Sequence, residues 1–598
     1  MKRITLIVLS CILCFILAAC SSSKQESGSS QETAADASSV TAFSVIDNSK
    51  WQYNSDDDVY YQIGLSYCEN PADESYENLA IFVPGAYMKA VENGDGTYTC
   101  EINSAGSVNG FTAETAPIVM PINTPGYSAQ AALTDYTSVS DYMNAGFVYV
   151  HAGCRGRDAG APAGVTDLKA AVRYIRYCDE GVPGDAESIF TFGMSGGGAQ
   201  SSIMGATGDS DLYTPYLEAI GAVKDESDAV LGAMNWCPIT NLDTADEAYE
   251  WMMGTTRSNL SEEEQAISDA LAKAFATYIN GANIKDEEGN VLTLEESDDG
   301  IYQSGSYYEY MKSVIEESLN NFLADTEFPY DASSASGGGM PGGPGGGEMP
   351  AGGGPGNGLA PDGAGMDGAD AKGSGEVNIE DIDNITRTDS GSSGLSLSGT
   401  HETAQDYIDA LNANGEWVTY DSATNTASIS SIKAFVNNLK TASKNLGAFD
   451  QLDGGQGENT LFGYGDGSGA HFDSTLASIL KELGNEYASA YESDLNKTDS
   501  AGNTVDVRVN MYTPLYYLLE SSDGYQTSKV AKYWRIRTGI NQGDCALSTE
   551  MNLALALENY EGVSSVDFET VWGQGHTQAE RSGNSTENFI SWVEECMK

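Results

Sequence analysis

An apolar run, Ile189-Phe190-Thr191-Phe192, passes through Gly193-Met194-Ser195-Gly196-Gly197 into a stretch of small residues with helical character. A strand that turns into a helix within two or three residues leaves little room for side chains around the turn. Glycines are therefore needed beside it, and the residue at its apex is thrust outward. Here that residue is Ser195. In a chain with 67 glycines among 598 residues such a pentapeptide is expected on the order of once by chance, so the rest of the sequence must supply its partners.

The surrounding pattern predicts the same kind of fold. Apolar runs at 78–83, 116–122 and 146–151 alternate with a helical pattern at 136–145. Residues 167–177 place Leu168, Val172 and Ile175 on one helical face, and 229–236 reads as another buried strand. Such alternation implies a mostly parallel sheet with helices on both faces, an α/β architecture. It stops after about residue 245 and resumes with Trp534-Arg535-Ile536-Arg537-Thr538-Gly539-Ile540, a strand at 564–572 and a C-terminal helix at 584–596. The expected organisation is a core in two parts, 46–245 and 527–598, interrupted by an inserted lid domain at 246–526. Helices at 262–279 and 307–323 belong to the insertion. So does a Gly/Pro/Met-rich stretch at 335–375, whose composition suits a flexible low-complexity loop rather than a packed core. Asp370-Ala371-Lys372-Gly373-Ser374-Gly375 faintly echoes a calcium loop, but Lys372 stands at a ligand position, so no metal site is expected.

Lys2-Arg3, an apolar stretch at 4–16 and then Leu17-Ala18-Ala19-Cys20 read as an export signal too short to span a bilayer. Leu-Ala-Ala-Cys resembles the bacterial lipobox. That resemblance implies a signal peptide at 1–20, a diacylglycerol-modified Cys20 and anchoring on the outer face of a membrane, with 21–45 as a disordered tether. An ordinary cleaved signal is the alternative. A net charge of −58 repels nucleic acid and anionic lipid and suits small neutral or weakly charged substrates, while also keeping an exported protein soluble. The eight cysteines from Cys20 onward lack C-x-x-C spacing, so neither zinc nor a disulfide framework is signalled, and a Cys68–Cys100 pair stays undecided.

Serine is a poor nucleophile until an imidazole takes its proton, and that imidazole needs an acceptor to hold its tautomer. Four histidines are present. His151 precedes the serine at the end of a core strand, and His401 and His471 fall in the insertion; all three read as structural. His576, in Trp572-Gly573-Gln574-Gly575-His576, follows the last strand and alone fits the order Ser, acid, His of the α/β-hydrolases, which the elbow resembles. Past the preceding strand comes Asn541-Gln542-Gly543-Asp544, making Asp544 the expected acid. The expected oxyanion donors are the N–H of Gly196 and that of Gly126, in Asn123-Thr124-Pro125-Gly126-Tyr127, where Pro125 has none to give.

Several segments together resemble the bacterial, subtype B tannases: Asn70-Pro71-Ala72-Asp73-Glu74-Ser75-Tyr76, Gly153-Cys154-Arg155-Gly156-Arg157, residues 167–174, Pro183-Gly184-Asp185-Ala186, and Cys237-Pro238-Ile239-Thr240-Asn241-Leu242. The resemblance runs from about residue 60 to the C-terminus, outside the Gly/Pro-rich stretch. It implies an α/β-hydrolase with a large lid that hydrolyses galloyl esters through a Ser-Asp-His triad, with no metal and no organic cofactor. It also implies that Lys444 and Glu458, fourteen residues apart, hold the galloyl hydroxyls. The family's two aspartates at the acid position are here Gln542 and Asp544, so one duty loses its carboxylate. Fungal-type tannases and feruloyl esterases flank their serine and histidine with cysteines, and Met194 and Thr577 do not fit that pattern. The expected partners are a small aromatic ester and the membrane, and not nucleic acid. A feruloyl, acetyl or other small-acyl esterase is the alternative within enzymes, and a non-catalytic ligand-binding lipoprotein the alternative outside them. The oligomeric state is left open.

Overall fold

The computed structural model describes residues 45–332 and 397–598, apart from Asn259, Asp299 and Thr441. The signal peptide with Cys20, all of the tether but its last residue, and the 335–375 stretch lie outside the described residues.

Nine strands form the main sheet. They are β1 Gln52–Asn54, β2 Val59–Ser66, β3 Asn78–Pro84, β4 Ile118–Ile122, β5 Val148–Ala152, β6 Ile189–Met194, β7 Gly232–Trp236, β8 Tyr533–Gly539 and β9 Ser565–Val571, in the spatial order β1-β2-β3-β5-β4-β6-β7-β8-β9. From β1 to β5 neighbours run antiparallel, and from β5 through β4 to β9 they run parallel. β4 to β7 are apolar almost throughout because helices cover both faces, as the sequence pattern predicts. Among the described helices are α1 Ser140–Ala145, α2 Ala163–Tyr177, α3 Gly196–Ala206, α4 Ala245–Met253, α5 Glu262–Ala282, α6 Ser306–Asp325, α7 Gly457–Leu461, α8 Ser548–Glu558 and α9 Ser585–Cys596.

Alternation along β6 shows how the two faces are filled. Phe190 and Phe192 point to the α9 side, where Phe192 packs on Phe589 with ring centroids 4.1 Å apart and Phe190 meets Trp592 edge-on at 5.6 Å. Thr191 points the other way and shares a 3.0 Å hydrogen bond with Ser201 of α3. Buried Asp167 of α2 accepts from the backbone N–H of Arg155 at 2.8 Å and from its guanidinium at 2.9 and 2.6 Å.

The helices and strands expected from sequence are present with shifted ends. The 136–145 pattern becomes helical only from Ser140, 167–177 starts four residues earlier at Ala163, and the 229–236 strand begins at Gly232. β1 and β2 were not expected: β1 is the half-exposed edge strand, and in β2, between β1 and β3, the register slips between Gln62 and Leu65, which blurs its alternation. The segment between β7 and β8 includes a cluster of its own around Ile267, Leu271, Leu446, Leu476, Leu480 and Tyr491. Within it a short ladder pairs Tyr330 with His401 and Asp331 with Thr400. All seven described cysteines are free thiols, so Cys68 and Cys100 are not joined.

Candidate active site

The chain leaves β4, crosses outward to β5 and returns to β6 on the other side of β4. Ligand crevices form beyond the carboxyl ends of strands at such a reversal of order. Both edges of this one are built of tight backbone. Ser195 sits between β6 and α3 at φ +60°, ψ −124°, a conformation that costs energy for a residue bearing a side chain. Backbone bonds hold it: its N–H donates to Trp236 O at 3.0 Å, and its carbonyl accepts from Ile239 N–H at 3.3 Å. A Cβ on Gly193 would lie 2.5 Å from Ile122 O and one on Gly197 2.2 Å from the same oxygen, so both glycines are fixed by contact with the end of β4.

The 123–127 loop lies across the start of α3. A Cβ on Gly196 would stand 2.5 Å from Thr124 O, 2.5 Å from Tyr127 N and 3.1 Å from Gly126 N. The Gly196 N–H belongs to the first turn of α3, where amides have no acceptor within the helix. Gly126 takes φ +54°, which its lack of a side chain permits. Arg157, in a segment singled out from sequence but given no role there, donates to Gly126 O at 2.9 Å. The same guanidinium nitrogen would lie 2.6 Å from a Cβ on Gly457, so it fills the space between the loop and α7.

His576 comes from the loop after β9. Cys237, next to the Trp236 carbonyl that holds Ser195, directs its thiol to Thr577 O at 3.2 Å, which ties that loop to the elbow. A second lacing joins the loops after β8 and β9, where Asn541 N–H donates to Gln574 O at 3.0 Å. The imidazole Nδ1 lies 2.8 Å from Gln542 Oε1 and 3.7 Å from Asp544 Oδ2. The expected acid is therefore beside the ring, but the hydrogen-bonding distance belongs to Gln542. Behind it, Gln542 Nε2 donates to Thr538 Oγ1 at 2.8 Å, to Cys545 Sγ at 3.3 Å and to Glu550 Oε1. Thr538 and Cys545 in turn donate to that Glu550 oxygen at 3.0 and 3.4 Å.

Burial dominates the electrostatics. It lowers the pKa of His576 from the usual imidazole range; Asp544 opposes the shift and the nearby charge of Lys444 adds to it. Glu550 is pushed up to about 7 by burial. Buried Lys440 is lowered by desolvation, against the attraction of Cys545, Glu550, Cys237 and Asp544. Lys444 itself extends over the Phe449 ring, its Nζ 3.8 Å from the centroid, with its backbone held by Tyr249 and Arg257. Glu458 is largely buried on α7, and its charge acts on Tyr127 of the 123–127 loop.

The other histidines are tied into structure. His151 bonds Ala131 O at 2.9 Å; His401 lies in the two-residue ladder; His471 bonds Asp450 at 2.7 Å and stacks on Tyr491. Among the described residues no group of three or more His, Cys, Asp or Glu side chains is placed to hold a metal ion. Gln542, Glu550, Lys440 and Arg157 escaped the sequence reading as site residues. Only the Gln542 departure was visible there, and nothing in the sequence places Glu550 or Lys440 against it.

This strand order, with a serine elbow at the reversal and a histidine after the last strand, defines an α/β-hydrolase. The BD-FAE family model matches residues 110–283, and no curated protein matches the chain. Among solved structures, the chain is similar to the tannin acyl hydrolase of Lactobacillus plantarum (24% identity, 90% of this chain and 94% of that one, TM-score 0.61). The tannase of Fusobacterium nucleatum gives 26% identity over 90% and 95%, TM-score 0.60. A tannin acyl hydrolase in complex with ethyl gallate gives 26% over 90% and 94%, TM-score 0.60. The chain is a carboxylic ester hydrolase of this fold, and the solved structures that it resembles over 90% of its length include bacterial tannases.

Proposed function

We propose that the protein is a serine esterase that hydrolyses galloyl-type aromatic esters through an acyl-enzyme on Ser195. The observation that carries the reading is the convergence at one strand reversal of Ser195, the Gly126 loop against Gly196, and the His576 loop pinned beside the elbow. His576 Nε2 takes the Ser195 proton as Oγ attacks the ester carbonyl. The N–H groups of Gly196 and Gly126 receive the developing oxyanion, and His576 then protonates the departing alcohol. Water enters by the same route and releases the acid. Asp544 contributes the negative charge that favours the imidazolium.

Lys444 and Glu458 support the galloyl assignment. The charge of Lys444 acts on His576 and that of Glu458 on Tyr127 of the 123–127 loop, which supports a cation and an acceptor near the crevice. Three adjacent ring hydroxyls need such partners, and a ring lacking them leaves buried polar groups unpaired. Gln542 in place of a second carboxylate favours a different acyl group, feruloyl or acetyl, as the second reading. Release of gallic acid from methyl gallate, compared with methyl ferulate and p-nitrophenyl acetate and with Ser195→Ala, separates them. Preference for gallate that vanishes in the variant is expected. Turnover of only the other esters gives the second reading, and turnover of none leaves a binding protein.

The N-terminal sequence supports export and attachment through a lipid on Cys20. Wild type partitioning into detergent while Cys20→Ser stays in the aqueous phase is the expected result; identical partitioning overturns it.

A further inference from the structure

The reading of Ser195 and His576 as nucleophile and base leaves one requirement unmet by a carboxylate. To accept the serine proton at Nε2, the neutral imidazole must carry its own proton on Nδ1, and that proton needs an acceptor. At 3.7 Å Asp544 is beyond hydrogen-bonding reach, whereas Gln542 Oε1 at 2.8 Å is within it. We propose that Gln542, aimed by the buried carboxylate of Glu550, is the positioning residue that fixes the tautomer of His576, and that Asp544 supplies charge without supplying the hydrogen bond.

A glutamine alone is ambiguous in this task. One end of its amide accepts and the other donates. Turned over, it would present its NH₂ to Nδ1 and trap the proton on Nε2, where no serine proton can then be received. What settles the orientation lies on the far side of the amide. Nε2 meets Glu550 Oε1, Thr538 Oγ1 and Cys545 Sγ, and the last two already direct their own protons to the same Glu550 oxygen. While Glu550 is ionised, inverting the amide would set its carbonyl oxygen against that carboxylate and forfeit the hydrogen bonds Nε2 makes there; with Glu550 pushed up to about 7, that hold weakens as the pH falls below it. Gln542 is 3% exposed and Glu550 0%, so bulk solvent does not reach these groups to replace the bonds. Lys440, buried nearby, is the cation facing Glu550, Cys545, Cys237 and Asp544. During turnover a proton passes from Ser195 Oγ to His576 Nε2 and on to the leaving alcohol, while the Nδ1 proton stays on the ring, donated throughout to Gln542.

The test combines kinetics with the ¹⁵N spectrum of histidine-labelled protein, in which only four histidines contribute. In a serine protease, replacing the acid by its amide imposes the wrong tautomer and costs about 10⁴ in kcat. Gln542→Leu is accordingly expected to lower kcat on p-nitrophenyl acetate by about 10² to 10⁴ with KM little changed. The double variant Gln542→Glu/Glu550→Gln, which keeps an acceptor for Nδ1 at the same reach and sets an amide rather than a second carboxylate behind it, is expected to retain much more. Glu550→Gln, isosteric and able to accept either amide orientation, is expected to lower kcat about tenfold, the difference between a charged and a neutral hydrogen bond. Its spectrum should show His576 populating the Nε2–H form, which wild type does not. Equal kcat in wild type, Gln542→Leu and Glu550→Gln, with an unchanged tautomer, refutes the proposal. So does a loss confined to Asp544→Asn. If Gln542→Leu does not fold, the two isosteric variants decide. Undiminished turnover by Ser195→Ala would instead overturn the serine-esterase reading itself.

Discussion

A single methyl group on Gly196 should separate catalysis from folding. The residue opens α3 and does not need a positive φ, so alanine suits its backbone and is the better helix former. The obstruction lies outside the helix. The added carbon would stand 2.5 Å from both Thr124 O and Tyr127 N and 3.1 Å from Gly126 N, all backbone atoms. Ordinary contact requires about 3.5 Å, so the 123–127 loop must withdraw by about 1 Å, carrying the Gly126 amide away from the Gly196 amide. A misplacement of that size costs about 10² in rate, and loss of one oxyanion donor 10² to 10³, or about 3 kcal/mol of transition-state stabilisation. Gly196→Ala is therefore expected to lower kcat on p-nitrophenyl acetate by about 10² to 10³, with KM within a few-fold and little change in thermal midpoint. Initial rates over a substrate range, with a melting curve on the same preparation, provide the check. Wild-type kcat in a folded variant would refute the claim that this loop and the start of α3 together form the oxyanion site.

Three further outcomes are expected. Because the reactive form of His576 is neutral and burial lowers its pKa, protonation of His576 should cut kcat/KM for methyl gallate only below pH 6.5, while protonation of Glu550, pushed up to about 7, should add no more than the about tenfold step expected of Glu550→Gln; a larger limb at or above pH 6.5 contradicts this. Lys444→Ala and Glu458→Ala should each lower kcat/KM on methyl gallate by about 10- to 100-fold while leaving p-nitrophenyl acetate nearly untouched, and equal losses on both esters would remove these residues from ring recognition. Asp167→Ala, which leaves the mostly enclosed Arg155 guanidinium with only the Glu77 carboxylate, 3.6 Å away, should cost about 3 kcal/mol in urea unfolding, and a loss below about 1 kcal/mol would show that the pair is not acting as a buried one.

The strand and helix alternation could be read from the sequence because β4 to β7 are covered on both faces and so leave unbroken apolar runs. Ser195 was legible for a related reason: an elbow packed against Ile122 O tolerates glycines and little else. β1 and β2 were lost because β1 is only three residues long and because Gln62, Gly64 and Ser66, with the register slip after Gln62, break up the strand pattern of β2. Asp544 was found by position along the chain. Distance could not be found that way, since the one-dimensional order Gln542, Gly543, Asp544 does not say which side chain the ring will meet. The Glu550 network was illegible because Thr538, Gln542, Cys545 and Glu550, although near one another in the chain, meet only through the fold of the turn between β8 and α8, and Lys440 comes from the insertion.

The elbow is completed by β6, β7 and α3, but His576 follows the final strand of the sheet. Chains are made from the N-terminus, and segments fold as they emerge. On the proposed mechanism, a growing chain carries its serine for most of its synthesis with no base to arm it. On that mechanism any chain interrupted before residue 576 is inert, however well its first half folds. The order of the strands would then act as a timer, with hydrolytic power appearing only when β8 and β9 have been added to the parallel half of the sheet.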